Sequence, residues 1–261
     1  MHYPATLQDL LPDLPGEANT VGLSGSGVYC WPDRVLKIQP VSKEALNEAA
    51  MMRWLHGRVP VPRLLAEEEE NGLHYLLMSR IPGRMFCDPA LLEAPHKLPE
   101  LAAQALHTLW QTDLSGCPAR RMLADRLLLA RQRVEAGLCD TGNAEPGTYG
   151  PGGFASPEHL LRWLEENRPD EEPVLTHGDC CLPNLFANEH GFCGFIDLGR
   201  SGMGDRWQDI ALLYRSTCHN YDGHHGYTAH APCPADDLFA ALGIPRDEEK
   251  LRYYILLDEL F

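Results

Sequence analysis

Apolar and polar positions alternate along the first part of the chain. Val21 and Leu23 alternate into Ser24-Gly-Ser-Gly27, and Val28-Tyr-Cys-Trp31 resumes the pattern. A Pro32-Asp33 turn leads into Arg34-Val-Leu-Lys-Ile38, so short strands joined by turns are predicted here. The period then changes. Ala45, Leu46, Ala49, Met52 and Leu55 recur at helical spacing behind Ser42, an N-cap, and Gly57 and Pro60 close the helix. Arg63 to Ala66 and Leu73 to Ser79 flank Asn71-Gly72, a hairpin signal, with Glu67 to Glu70 placed on its solvated tip.

The pattern shifts again at Ile81-Pro-Gly83, after which helical periodicity dominates. Helices are predicted over Leu98 to Gln111, Arg120 to Ala136 and Pro157 to Glu166, the last with Ser156 as N-cap and proline at its first position. Asp140 to Gly153 is rich in Gly and Pro and reads as a long loop of functional length. Short strands return over Pro173 to Phe195. Helices follow from Arg206 to Thr217 and from Arg246 onward. The expected architecture is α+β and two-lobed: a small β-rich lobe over residues 1–80 and a larger, mainly helical lobe over 81–261, joined near residues 79–83.

Composition narrows the function. Hydrophobic residues make up 44% of 261, enough for a sizeable core, and no apolar run reaches the ~20 residues of a membrane span. The first ten residues lack the basic and apolar regions of a signal peptide. Nine cysteines occur without C-x-x-C spacing. Reduced thiols and a cytoplasmic location are therefore expected. A net charge of -15 argues against nucleic acid or an anionic membrane surface as partner and is compatible with a cationic ligand.

The chemistry concentrates in Leu175-Thr-His-Gly-Asp-Cys-Cys-Leu-Pro-Asn184 and Gly194-Phe-Ile-Asp-Leu-Gly-Arg200. Asp179 is suited to orient or accept the proton of an attacking hydroxyl. Asn184 and Asp197 offer oxygen ligands to Mg²⁺, a hard cation that keeps several waters. His177 reads as a histidine packed beneath the loop and hydrogen-bonded to it. Lys37, mid-strand beside a glycine-rich turn, can reach nucleotide phosphates as a compact charge, and Glu48 on the next helix can hold it there. Taken singly, both also read as a surface lysine and an ordinary helix acid. Ser24-Gly-Ser-Gly27 can offer backbone N–H groups and the hydroxyls of Ser24 and Ser26 to phosphates, or serve as a plain hairpin turn. It has neither the following Gly-Lys-[Ser/Thr] of a P-loop nor a helix behind it.

The order glycine-rich turn, Lys37, Glu48, His-Gly-Asp179 with Asn184, then Ile-Asp197 resembles the protein-kinase-like fold. His-Gly-Asp in place of His-Arg-Asp, and Ile-Asp-Leu-Gly in place of Asp-Phe-Gly, point to its small-molecule kinases. Met51-Met-Arg-Trp-Leu-His-Gly-Arg-Val-Pro-Val-Pro62, Asp205-Arg-Trp-Gln-Asp-Ile-Ala211 and Tyr254-Ile-Leu-Leu-Asp-Glu-Leu-Phe261 resemble the aminoglycoside 3'-phosphotransferases over nearly the whole chain. The resemblance implies ATP (or GTP) with Mg²⁺ as donor and the 3'-hydroxyl of an aminoglycoside antibiotic as acceptor, conferring resistance. It further implies phosphate contacts from Ser24 and Lys37, with Glu48 as the partner of that lysine, adenine pairing along Met78, Ser79 and Ile81, and a catalytic Asp179. Asn184 and Asp197 match the magnesium ligands. Arg200, Arg215, Asp258, Glu259 and the carboxylate of Phe261 match the acceptor pocket.

Two places depart from the family pattern. After Arg215 the chain reads Ser216-Thr-Cys-His-Asn220 where the family carries acids, and the loop over the drug contains only Asp140 and Glu145. These departures bear on affinity and drug spectrum. They also keep two alternatives in view: a kinase of another amino-alcohol or sugar, and a non-catalytic nucleotide- or drug-binding module. Cys218, His219, His224, His225, His230 and Cys233 read as a polar loop, since their spacing fits no zinc pattern. The oligomeric state stays open between monomer and weak dimer.

Overall fold

In the computed structural model, which describes residues 3–12, 16–19, 27–223, 229–230 and 232–261, a short helix α1 (Ala5–Gln8) precedes a five-stranded antiparallel sheet. Its strands are β1 (Glu17–Asn19), β2 (Gly27–Cys30), β3 (Arg34–Pro40), β4 (Leu64–Glu70) and β5 (Leu73–Ser79), in the spatial order β1-β2-β3-β5-β4. Helix α2 (Lys43–Leu55) lies between β3 and β4 in sequence, and the Ser42 hydroxyl accepts from the Ala45 N–H at 3.0 Å, as an N-cap should. Val21 and Leu23 fall outside the described residues.

Period-two alternation decides which side chains meet α2. On β5, Leu76 and Met78 join Ala49, Met52 and Leu55 of α2 in the main core, while Tyr75 and Leu77 face the other way, onto Leu7, Trp31 and Leu36. Leu36 pairs with Leu77 across β3 and β5, and Lys37 with Leu76. The pleat therefore turns Lys37 to the helix side, where Ala45, Glu48, Ala49 and Met52 are buried. Burying one such leucine or methionine is worth roughly 1.5–3 kcal/mol.

One expectation here is corrected. Glu67 to Glu70 are not a solvated tip. They continue β4, pairing with Leu76 down to Leu73, and the turn is only Asn71-Gly72, both at positive φ. Glu67 accepts from Arg53 and contacts the His74 ring.

Beyond residue 80 come β6 (Arg84–Met85), α3 (Pro89–Leu92), α4 (Leu98–Trp110), α5 (Leu123–Glu135), α6 (Pro157–Glu166) and β7 (Pro173–Thr176). Then follow β8 (Leu185–Asn188), β9 (Gly191–Phe195), β10 (Gly202–Asp205), α7 (Arg206–Asp222), α8 (Asp237–Leu242) and α9 (Glu248–Asp258). Two small sheets, β6-β8-β9 and β7-β10, sit among the helices. The loop 140–153 carries no regular element beyond an isolated Tyr149–Phe154 bridge. Ser156 occupies the N-cap of α6, but its side chain makes no capping bond. Helix α7 runs past Thr217 to Asp222 and stops at Gly223, which is left-handed. Packing of α9 on α7 and α6 carries residues 258–261 to the flank of α7. Among the described residues, no helix is long and apolar enough to cross a membrane.

Candidate active site

The hairpin β8–β9 explains how Asn184 and Asp197 meet. Leu185 pairs with Phe195, so the residues just outside the hairpin are brought side by side, and the Ile196 N–H donates to the Asn184 carbonyl at 3.0 Å. The Asn184 amide nitrogen donates to the Asp179 carbonyl and carboxylate, at 2.9 and 3.1 Å. That fixes Asp179 and turns the Asn184 amide oxygen away from it. Asp197 sits at φ 59°, a left-handed conformation uncommon outside glycine. Three side chains separated in sequence thus converge on one opening.

Lys37 faces them from the sheet. Its ammonium lies 2.8 Å from Glu48 and 2.9 Å from an Asp197 oxygen. Burial works against the charge, but Glu48 and Asp197 outweigh it and raise the Lys37 pKa above the ordinary lysine range. Burial pushes the Glu48 carboxyl up against the pull of Lys37. Burial also opposes ionisation of Asp197, yet Lys37 prevails and holds that carboxyl below its usual range. The cation is therefore permanent and its two anions pin it toward the opening.

His177 is fully buried beneath the loop. The Asp179 N–H donates to its Nδ1 at 3.2 Å, so Nε2 carries the hydrogen and donates to the Ile196 carbonyl at 2.8 Å. One imidazole thereby ties the Asp179 loop to the residue before Asp197. Under it, the Asp209 carboxylate accepts from the His177 and Gly178 N–H groups at 2.6 and 2.8 Å, and the Gln208 amide donates to the Gly178 carbonyl at 3.0 Å. Burial pushes Asp209 up to about 6. Gly178 has φ 84°, and a Cβ there would overlap the Arg200 carbonyl oxygen. A side chain at 178 and the Arg200 backbone in this position exclude one another, which is the physical content of Gly between His177 and Asp179.

Opposite Lys37, carboxylates and guanidiniums from five segments gather. Arg215 on α7 reaches Asp258 at 2.5 Å, Glu259 at 3.4 Å and Glu145 at 3.7 Å. Asp258 also lies 3.7 Å from both Arg126 and Arg200. Despite its burial, these three arginines hold its carboxyl below the usual range. Burial pushes Glu259 up to about 7. Glu145 comes from the loop 140–153 and stands 2.9 Å from the His219 ring, while its N–H donates to Glu259 at 3.1 Å. The loop therefore supplies an acid next to His219. Asn220 is buried instead, its amide bonded back to the Ser216 carbonyl. The Phe261 ring lies under Arg126, 4.6 Å from its guanidinium carbon, and its backbone oxygen accepts from Arg133.

Met78 and Ser79 end β5. Ser79 bonds Arg63 through its N–H and hydroxyl. The Ile81 N–H has no acceptor among the described residues. Ser24 and Ser26 lie outside the described residues, as do His224 and His225. No group of three or more His, Cys, Asp or Glu side chains among the described residues forms a metal cluster. The donor set of Asn184 and Asp197 still fits a hard cation that keeps most of its waters. The second Asp197 oxygen and the Asn184 amide oxygen take no hydrogen bond among the described residues, so an amide and a carboxylate oxygen stand ready. Asp209, Gln208, Asn47 and Arg126 are the contributors that motif spacing alone does not reveal.

The chain matches the phosphotransferase enzyme family over residues 17–254. It is 34% identical over 268 residues to the aminoglycoside 3'-phosphotransferase of Niallia circulans, covering 100% of this chain and 98% of that protein. Among solved structures it resembles an aminoglycoside-3'-phosphotransferase of type VIII, with 29% identity, a TM-score of 0.78, and 98% and 97% of the two chains covered. It also resembles an aminoglycoside phosphotransferase of Streptomyces rimosus in complex with ADP and streptomycin, with 26% identity, a TM-score of 0.75, and 94% and 92% coverage.

Proposed function

This chain belongs to the phosphotransferase enzyme family, and within it to the aminoglycoside 3'-phosphotransferases; from that premise we propose that it transfers the γ-phosphoryl group of ATP to the 3'-hydroxyl of an aminoglycoside and so confers resistance. Its architecture is the two-lobed, protein-kinase-like α+β fold. We place the lobe boundary at residues 80/81, with the nucleotide held between the lobes.

The observation that carries this reading is the convergence of Lys37, Asp179, Asn184 and Asp197 on one opening, with the Asp258–Glu259–Glu145 carboxylates on its acceptor side. Met78, Ser79 and Ile81 border the adenine, the Ile81 N–H supplying a donor. Ser24 and Ser26 are assigned to the phosphate loop on sequence alone. Lys37, positioned by Glu48, meets the phosphates with a fixed charge. Asn184 and Asp197 would hold Mg²⁺, which supplies neutralisation of phosphate charge when bound. Asp179, its carboxylate steadied by Asn184, orients the 3'-hydroxyl toward the γ-phosphorus. As the new O–P bond forms, the bond to the β–γ bridging oxygen breaks and the hydroxyl proton passes to Asp179. Arg200, Arg215, Asp258, Glu259 and Phe261 shape the acceptor pocket.

A polycationic acceptor suits that pocket because each charge-assisted hydrogen bond is worth roughly 1.5–3 kcal/mol. We place the enzyme in the cytoplasm, acting on small molecules alone as a monomer or weak dimer. Nine cysteines, none of them in a disulfide, fit a reducing compartment. The test is phosphate transfer from MgATP to kanamycin and to a 3'-deoxy aminoglycoside. Transfer to the first and not the second, abolished in Asp179→Ala, is expected. Nucleotide binding without transfer to any 3'-hydroxyl drug would overturn the acceptor assignment.

A further inference from the structure

Helix α2 does more than hold Glu48 against Lys37. Its Asn47 amide nitrogen donates to the Gly199 carbonyl and to the Ser201 carbonyl, both at 2.9 Å. These two carbonyls flank Arg200 and follow Asp197 by two and four residues. One turn earlier on α2, Glu44 pairs with Arg200 at 3.3 Å. The helix backbone also comes close: a Cβ at Gly199 would stand 3.1 Å from the Glu44 carbonyl oxygen. Gly199 therefore lets the first turn of α2 rest directly on the segment 197–201.

That segment serves both sides of the proposed reaction. Asp197 begins it and faces Lys37, while Arg200 reaches across to Asp258 at 3.7 Å. Two carbonyls accepting from one amide fix the peptide direction on either side of Arg200. Arg121 also donates to the Gly199 carbonyl, at a longer 3.4 Å, so losing the Asn47 amide cuts the link of this segment to α2 and frees Arg200 and Asp197 to shift together. The helix that fixes it is the one that carries Glu48.

We propose that Asn47 is a positioning residue that sets Asp197 and Arg200 from the sheet-side helix, and so ties nucleotide binding to acceptor binding. The proposal rests on the kinase reading given above. Two ligands that both require one arrangement of this segment favour each other's binding, and the coupling is reciprocal.

The test uses the full chain, with Asn47→Ala, and with Asn47→Asp, which keeps the shape and removes both donors. Calorimetry measures the affinity for a non-hydrolysable ATP analogue with and without Mg²⁺, and for kanamycin with and without the magnesium analogue. In the unmodified protein, the magnesium analogue should tighten kanamycin binding at least fivefold. In both variants that factor should fall toward one, the Mg²⁺-dependent gain in analogue affinity should drop at least fivefold, and kcat should fall at least tenfold. Glu44→Gln, which removes only the Arg200 contact, should show a smaller loss of coupling. Variants that keep the wild-type magnesium increment and coupling overturn the proposal, as does a wild type that turns over kanamycin with no coupling at all. If kanamycin does not bind the wild type, the acceptor assignment fails, and the magnesium increment in the two variants still decides the role of Asn47.

Discussion

Asp209 accepts the main-chain N–H groups of two consecutive residues, His177 and Gly178, at 2.6 and 2.8 Å, from a position 31 residues away. A carboxylate has the two oxygens this requires; an amide has one. Asp209→Asn leaves one buried N–H facing a donor, which costs about 1–3 kcal/mol. It also frees the loop on which Asp179 stands. The expected outcome is a lower urea midpoint with an unchanged m-value, and kcat reduced at least tenfold while KM for MgATP stays within about twofold. Equal losses in kcat and nucleotide affinity would place the role of Asp209 elsewhere.

Two glycines at nearly the same φ separate strain from collision. Gly178 and Gly72 have φ of 84° and 78°. Around Gly72 a Cβ meets nothing within 4 Å, whereas at Gly178 it meets the Arg200 backbone. Gly72→Ala should cost about 1 kcal/mol, the left-handed penalty alone. Gly178→Ala should cost several times more and abolish transfer, because the 197–201 segment must move. Thermal unfolding of the two variants side by side tests this; equal costs would mean that the Arg200 turn yields freely.

The residues of the opening were legible because their chemistry is local. His-Gly-Asp179 with Asn184, then Ile-Asp197, stand at fixed spacing around one hairpin, and Lys37 follows from the pleat of one strand. Glu67 to Glu70 were misread because four acids look like a turn. β4 is an edge strand of the sheet, where charged residues are tolerated and guard against edge-to-edge pairing. Asp209 showed only as part of a motif, since its partners lie on another element. The three arginines around Asp258 come from α5, α7 and the segment after Asp197, and no spacing in sequence announces them. Glu145 was visible, yet its pairing with His219 depends on how an irregular loop folds back on α7.

Lys37 and Glu48 make a buried pair whose halves are worth little apart. Removing the lysine in Lys37→Met leaves a buried carboxyl beside Asp197, a loss of about 3–5 kcal/mol by analogy with other broken buried pairs. Replacing both, Lys37→Met with Glu48→Leu, removes the stranded charge. The double variant should therefore be more stable than Lys37→Met alone, while both lose at least a hundredfold in kcat/KM for MgATP. Chemical denaturation and steady-state kinetics on the wild type and both variants check this. A double variant less stable than the single would show that Glu48 contributes through contacts other than Lys37.

Glu259 links pH to the acceptor side. Burial pushes its carboxyl up to about 7 against the pull of Arg215, from an ordinary value of 4.5. The folded chain therefore holds this proton more tightly than the unfolded chain. Its contribution to stability is complete below about 4.5 and is lost as pH rises through 7. Binding runs the other way, because only the ionised carboxylate attracts an amine. KM for kanamycin should fall as pH rises from 6 to 8 in the wild type. In Glu259→Gln, where the side-chain oxygen can still accept from the Glu145 N–H, KM should be higher at pH 8 and the difference from wild type should shrink toward pH 6. The drug's own amines titrate identically with both proteins, so the ratio of the two kcat/KM profiles isolates the enzyme group. A ratio that stays constant across that range would remove Glu259 from the recognition of the acceptor's charge.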